Sequence, residues 1–281
     1  MSSLLAIYGL PIVASGLFAA CLAVVGAQIA ARDRAMQTLC LSQGALLGVL
    51  LSIGLLTAVF HSDELGLVWP FVGAFLGSVT AFCLSERLVS KVDSSRNSHF
   101  AALFSSLLAM GYFVTAIFPG LEMHMSQKYF GDLAVITDDT AWVAIAVALV
   151  SGATLVAMAR LLTRTTFFEI ALGYLPLTRR SQLALLTFTL GIIAFSTQVM
   201  GLLFTITVLF VPTTVLAKVS GGYRAHLLAC AVIGFSASAV GFILSLAGPQ
   251  LPTVPVICFC MVGFSASATM LHRLKRMKPQ Q

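Results

Sequence analysis

Gln43 lies within an apolar run of this 281-residue chain, and Gln198 lies beside two others. A primary amide offers one carbonyl acceptor and two N–H donors. In an apolar setting it serves a hydrogen-bonding solute, a hard cation, or the bonding of one helix to another. Ser42 adds a hydroxyl beside Gln43, and Pro212 sets a kink that acts as shape or as a hinge. A second group, Glu122, His124, Asp132, Asp138 and Asp139, falls within residues 119–140. It attracts a cation, docks a partner, or simply solvates a loop. Six cysteines lie in apolar stretches and read as packing residues. Cys258 and Cys260 are two apart, hence on different helix faces. The five histidines fall in loops or at span ends without ligand spacing. The patterns GxxxxGKS/T, HExxH, GxSxG and CxxC are absent. The chain is therefore read as a non-enzyme with no nucleotide site, no cofactor and no resident metal site.

The elements that position these residues follow from composition. The chain is 59% hydrophobic and 9% charged, with a mean hydropathy of +1.00. Soluble domains carry roughly 25% charged residues. A single water-soluble domain is excluded, and so is disorder, which needs low hydrophobicity and high charge. The expectation is an all-α, polytopic membrane protein forming one transmembrane domain over residues 1–281. Nine apolar runs are long enough to be spans: 4–31, 36–60, 65–84, 100–118, 141–162, 183–196, 199–217, 225–247 and 253–271. The stretch 183–217 that holds the sixth and seventh is interrupted only by Ser196, Thr197 and Gln198, where a polar turn or a broken helix is expected. The first run has no basic residue ahead of it and is too long for a signal peptide, so it is read as a retained span.

Charge distribution orients the chain. With nine spans and the N-terminus outside, fifteen basic residues and four acidic ones face the cytoplasm (+11). Lys128 and six acidic residues face outward (−5), together the net +6. This satisfies the positive-inside rule and puts the C-terminus in the cytoplasm. The bases are dispersed over short loops, so nucleic acid is not a partner. No ionisable side chain lies deep in a span, which argues against a proton- or sodium-coupled carrier. An ion-coupled secondary transporter of a small solute is the alternative class.

The inner segment at about 163–182 holds a short amphipathic stretch that Thr165 or Thr166 would cap, with Glu169 in its first turn and Gly173 and Pro176 at its end. It either links two spans along the interface or docks a cytoplasmic partner. In the second span, Gly44, Gly48 and Ser52 form a small-residue series that permits close helix approach.

Three stretches resemble the membrane permeases of bacterial ABC-type uptake systems for zinc, manganese and iron. Residues 197–214, with Gln198-Val199-Met200-Gly201-Leu202-Leu203 and later Val211-Pro212, are similar to that family's Gln-Val-x-Gly-x-Leu-Leu run ending in Leu/Val-Pro-Ala. Phe130-Gly131-Asp132-Leu133 resembles its outer-loop motif. Glu169-Ile170-Ala171-Leu172-Gly173 with Pro176 resembles, with altered spacing, the loop such permeases insert into their ATPase. The resemblance implies ATPase contacts at Thr165, Phe168, Glu169, Ala171, Gly173 and Pro176. It implies an outer binding protein near Glu122, His124 and Asp132, a homodimer of permeases in the bacterial inner membrane, and a divalent metal or its chelate as substrate. The family's second span carries Asp and His four apart; here Leu39 and Gln43 occupy those positions, and Leu47 replaces a proline. Ser42, Gln43, Gln198 and Pro212 are the candidate pathway residues.

Overall fold

A backbone in hydrocarbon has no water to bond, so long apolar runs close their hydrogen bonds within helices. The computed structural model describes residues 2–60, 66–89, 96–118, 120–131, 133, 136–172, 179–217, 221–248 and 251–277. At 2–7, 59–60, 89, 123–124, 165, 168–172, 179 and 272–277 the description is of the backbone alone. The helices in chain order are α1 (Ser2–Ala31), α2 (Ala35–Phe60), α3 (Val68–Val89), α4 (Arg96–Ile117), α5 (Leu121–Phe130), α6 (Asp138–Ala157), α7 (Ala159–Leu172), α8 (Arg179–Val199), α9 (Leu202–Leu216), α10 (Tyr223–Ser245) and α11 (Thr253–Met277). No strand occurs among the described residues.

Among the described residues, eight helices are long and apolar enough to cross a membrane. The ninth expected span is α9, which is apolar but has 15 residues. At 1.5 Å per residue that is about 22 Å, short of a hydrocarbon core of about 30 Å.

The break between α8 and α9 is displaced from the expected site. Ser196, Thr197 and Gln198 remain helical, and the chain turns at Met200–Gly201. Gly201 has φ +94°, a left-handed conformation that favours glycine. The Ser196 carbonyl accepts from both the Met200 and Gly201 N–H groups at 2.8 and 3.2 Å. Across the bend, the Ser196 and Thr205 hydroxyls meet at 2.7 Å. Polarity marked the right neighbourhood, but polar side chains do not by themselves end a helix. The left-handed glycine does.

The contacts divide the chain into two compact units. The first comprises residues 1–32, 132–175 and 207–281. In it α1 packs on α6, α7 and α10, and α11 packs on α10. Phe18, Leu22 and Phe242 are fully buried there. The second comprises residues 33–131 and 176–206. In it α2 is central, touching α3, α4, α5 and α8, with a core that includes Leu46, Val49, Leu50, Ala194 and Leu202. Large apolar side chains are conspicuous outside: Val156 and Phe259 are each 78% exposed. Lipid is the solvent that tolerates such a surface.

Candidate functional site

The second unit is held by a glycine seam. Gly44 and Gly48 on α2 face Gly77 and Gly73 on α3, in antiparallel order. A Cβ on Gly48 would run into the Gly73 carbonyl, and one on Gly77 into that of Gly44. The seam therefore needs both series. The α2 half was expected; the matching Gly73-x-x-x-Gly77 with Ala81 behind it was overlooked, although its spacing is legible in the sequence. Close approach replaces the hydrophobic effect, which does not drive helices together in lipid.

Two candidate pathway residues sit on the buried side of α2. Ser42 is fully buried and donates to the Thr38 carbonyl at 3.1 Å. Gln43 is 1% exposed, and its Oε1 has no hydrogen-bond partner among the described residues. A buried acceptor left open costs about 1–3 kcal/mol. Gln198, near the end of α8, is similar. Its Nε2 donates to the Leu67 carbonyl at 2.9 Å, while its Oε1 and the buried hydroxyl of the neighbouring Thr197 have no partner among the described residues. The unit thus encloses open polar atoms on both α2 and α8.

Two stretches that the sequence linked only by resemblance meet in space. The segment 119–140 is not wholly loop: α5 forms within it and packs on α2, α4 and α8. Lys128, expected as a lone outward base, donates from Nζ to the Gln198 carbonyl at 2.8 Å. That carbonyl is one of the four that a helix C-terminus leaves without an intrahelical donor. Burial pushes the Lys128 pKa below its ordinary value. Immediately after α5, Gly131 (φ +76°) abuts Gly201, so that a Cβ on Gly201 would lie 2.6 Å from the Gly131 Cα. No sequence signal indicated either contact.

In the first unit, α7 is tied to its neighbours. It starts at Ala159, so Thr165 and Thr166 lie inside it and neither caps it. The Thr166 hydroxyl donates to the Leu162 carbonyl at 2.8 Å and accepts from Arg32 Nη2 at 3.3 Å. Phe167 packs edge-on against Tyr223 at the start of α10, with ring centroids 5.8 Å apart. Thr165, Phe168, Glu169 and Ala171 have helical backbone in α7, but their side chains lie outside the described residues, as do Gly173 and Pro176 entirely.

Pro212 is buried within α9, where the Thr213 hydroxyl bonds back to the Phe210 carbonyl at 2.9 Å. Glu122 is exposed in the first turn of α5, favourably placed at a helix N-terminus. The His124 side chain and Asp132 lie outside the described residues. Asp138 and Asp139 occupy the first turn of α6, where Thr137 is the N-cap; helix-end charge compensation accounts for them. Among the described residues, no group of three or more His, Cys, Asp or Glu side chains is placed to hold a metal. His226 and Cys230 approach to 3.7 Å, one turn apart on α10, a pair short of a complete site.

The model of the ABC 3 transport family matches residues 9–272. No curated protein matches the chain. Among solved structures, PsaBC from Streptococcus pneumoniae in complex with Fab aligns at a TM-score of 0.75 and 14% identity, covering 97% of this chain and 95% of that one. A chain described as a metal-chelate type ABC transporter in an inward-facing conformation aligns at 0.62 and 14% identity, covering 94% and 85%.

Proposed function

The chain belongs to the ABC 3 transport family, and on that premise we propose that it is the membrane permease of an ABC importer. A separate ATPase grips the segment around Glu169–Pro176. Nucleotide binding moves that segment, and α7 passes the movement to α1 and α10 through Arg32, Thr166, Phe167 and Tyr223. Alternating access results, with Ser42, Gln43, Gln198 and Pro212 along the path. An outer binding protein delivers substrate near Glu122, His124 and Asp132, and two permeases pair in the bacterial inner membrane. With α9 counted as a short ninth crossing, the N-terminus lies outside and the C-terminus in the cytoplasm. In that orientation Trp69 and Trp142, 59% and 61% exposed at the starts of α3 and α6, join the outer aromatic belt.

The substrate is a divalent metal ion or its chelate, in keeping with the metal-chelate type transporter that this chain resembles in fold. Gln43 offers an uncharged oxygen, which suits a hard cation or the polar groups of a chelate better than bare zinc. The family match over 9–272 carries the reading. Its test is co-expression with a cognate ATPase. The two are expected to co-purify, and Glu169→Arg with Gly173→Trp to abolish the complex while insertion persists. Cells lacking the gene are expected to contain less of one metal among zinc, manganese and iron. Purified permease that pumps solute uphill alone in vesicles would overturn the assignment.

A further inference from the structure

The first unit contains a groove of about 570 Å³ between α1, the α6–α7 junction and α10. Its ends differ in chemistry. The contact of Cys21 with the Ala148 carbonyl at 3.3 Å and that of Arg32 with Thr166 show that α1 runs alongside α6 and then α7. Residues late in α1, early in α7 and early in α10 therefore share one end. There the groove is lined by Gln28, Arg160 and Arg224, both arginines being exposed. Further along, Val24, Leu155 and Leu228 form an apolar wall, and Leu228 is 70% exposed. Among the described residues no carboxylate lines the groove.

We propose that this groove binds an anionic phospholipid, its phosphate held by Arg160 and Arg224 and an acyl chain laid along the apolar wall. Guanidinium groups bond phosphate oxygens through a fork of N–H donors. With two guanidinium groups and no acid among the described lining residues, a net negative headgroup is favoured over a zwitterionic one. A soluble anion would neutralise the arginines and leave the wall wet; only an amphiphile satisfies both ends. The helices that form the groove, α1, α6 and α10, are each long and apolar enough to span a bilayer, which puts the wall at acyl-chain depth. Basic pockets between membrane helices are suited to anionic headgroups on the cytoplasmic side.

The test measures retention of phosphatidylglycerol against phosphatidylcholine by the purified full-length protein in detergent, using native mass spectrometry and thermal unfolding. Wild type is expected to prefer phosphatidylglycerol, and Arg160→Gln with Arg224→Gln to weaken its binding about thirtyfold. Arg160→Lys with Arg224→Lys is expected to keep most of the preference, and Arg87→Gln with Arg96→Gln, in the other unit, all of it. An unchanged preference in the double glutamine variant overturns the proposal. So does equal stabilisation by inorganic phosphate, which would make the groove a simple anion site. A change of oligomeric state without a change in lipid retention also overturns it, by assigning the groove to a second copy of the chain.

Discussion

Lys128 reaches across 70 residues of sequence to donate a hydrogen bond to the backbone carbonyl of Gln198. The ammonium sits at the C-terminal end of α8, where the helix dipole is negative and carbonyls lack intrahelical donors. The side chain of the same glutamine donates to the Leu67 carbonyl. One residue is thereby held by two contacts, and the end of α8 is anchored to α5.

Replacing Lys128 by Met leaves that carbonyl open. The expected cost is about 1 kcal/mol, because the desolvation relieved offsets part of the lost bond. Thermal unfolding in detergent measures it. Burial lowers the Lys128 pKa from 10.5, so the unfolded chain binds the proton more tightly. Wild-type stability is therefore expected to rise with pH through the window just below 10.5, and the Met variant to lack that rise.

The glycine seam predicts opposite outcomes for two glycine substitutions. Gly48→Leu drives a side chain into the Gly73 carbonyl and is expected to cost about 3 kcal/mol or more, separating α2 from α3. Gly191→Ala, in α8 with nothing within 4 Å of the added methyl, is expected to stabilise by up to about 1 kcal/mol. Unfolding midpoints of the two variants, compared side by side, check both.

Substitution of Gln43 tests stability and the proposed pathway role separately. Its open Oε1 makes the folded state less stable than an apolar isostere would. Gln43→Met is expected to raise the unfolding temperature and, under the proposed function, to slow metal uptake in cells. A more stable variant with wild-type uptake would reduce Gln43 to a packing residue.

The tie between Arg32 and Thr166 predicts uncoupling. Thr166→Val keeps the shape of the side chain but removes the acceptor for Arg32. The ATPase is expected to co-purify and hydrolyse ATP as before, while uptake per ATP falls several-fold. Thr166→Ser, which keeps the hydroxyl, is expected to restore it.

The sequence by itself determined that the chain is a helical membrane protein, roughly where eight of its nine expected spans run, and half of the glycine seam. These are local properties: a run of apolar residues partitions into lipid whatever its neighbours do, and charge in short loops biases orientation. Tertiary structure alone decided where α8 ends, which carbonyl Lys128 caps, and that Gly131 meets Gly201. It also turned part of the expected outer loop into α5 and tied α7 to α1 and α10. A helix that is apolar on every face carries no periodic signal for its rotation, so which residues meet depends on close packing and paired polar atoms, settled only when the helices assemble.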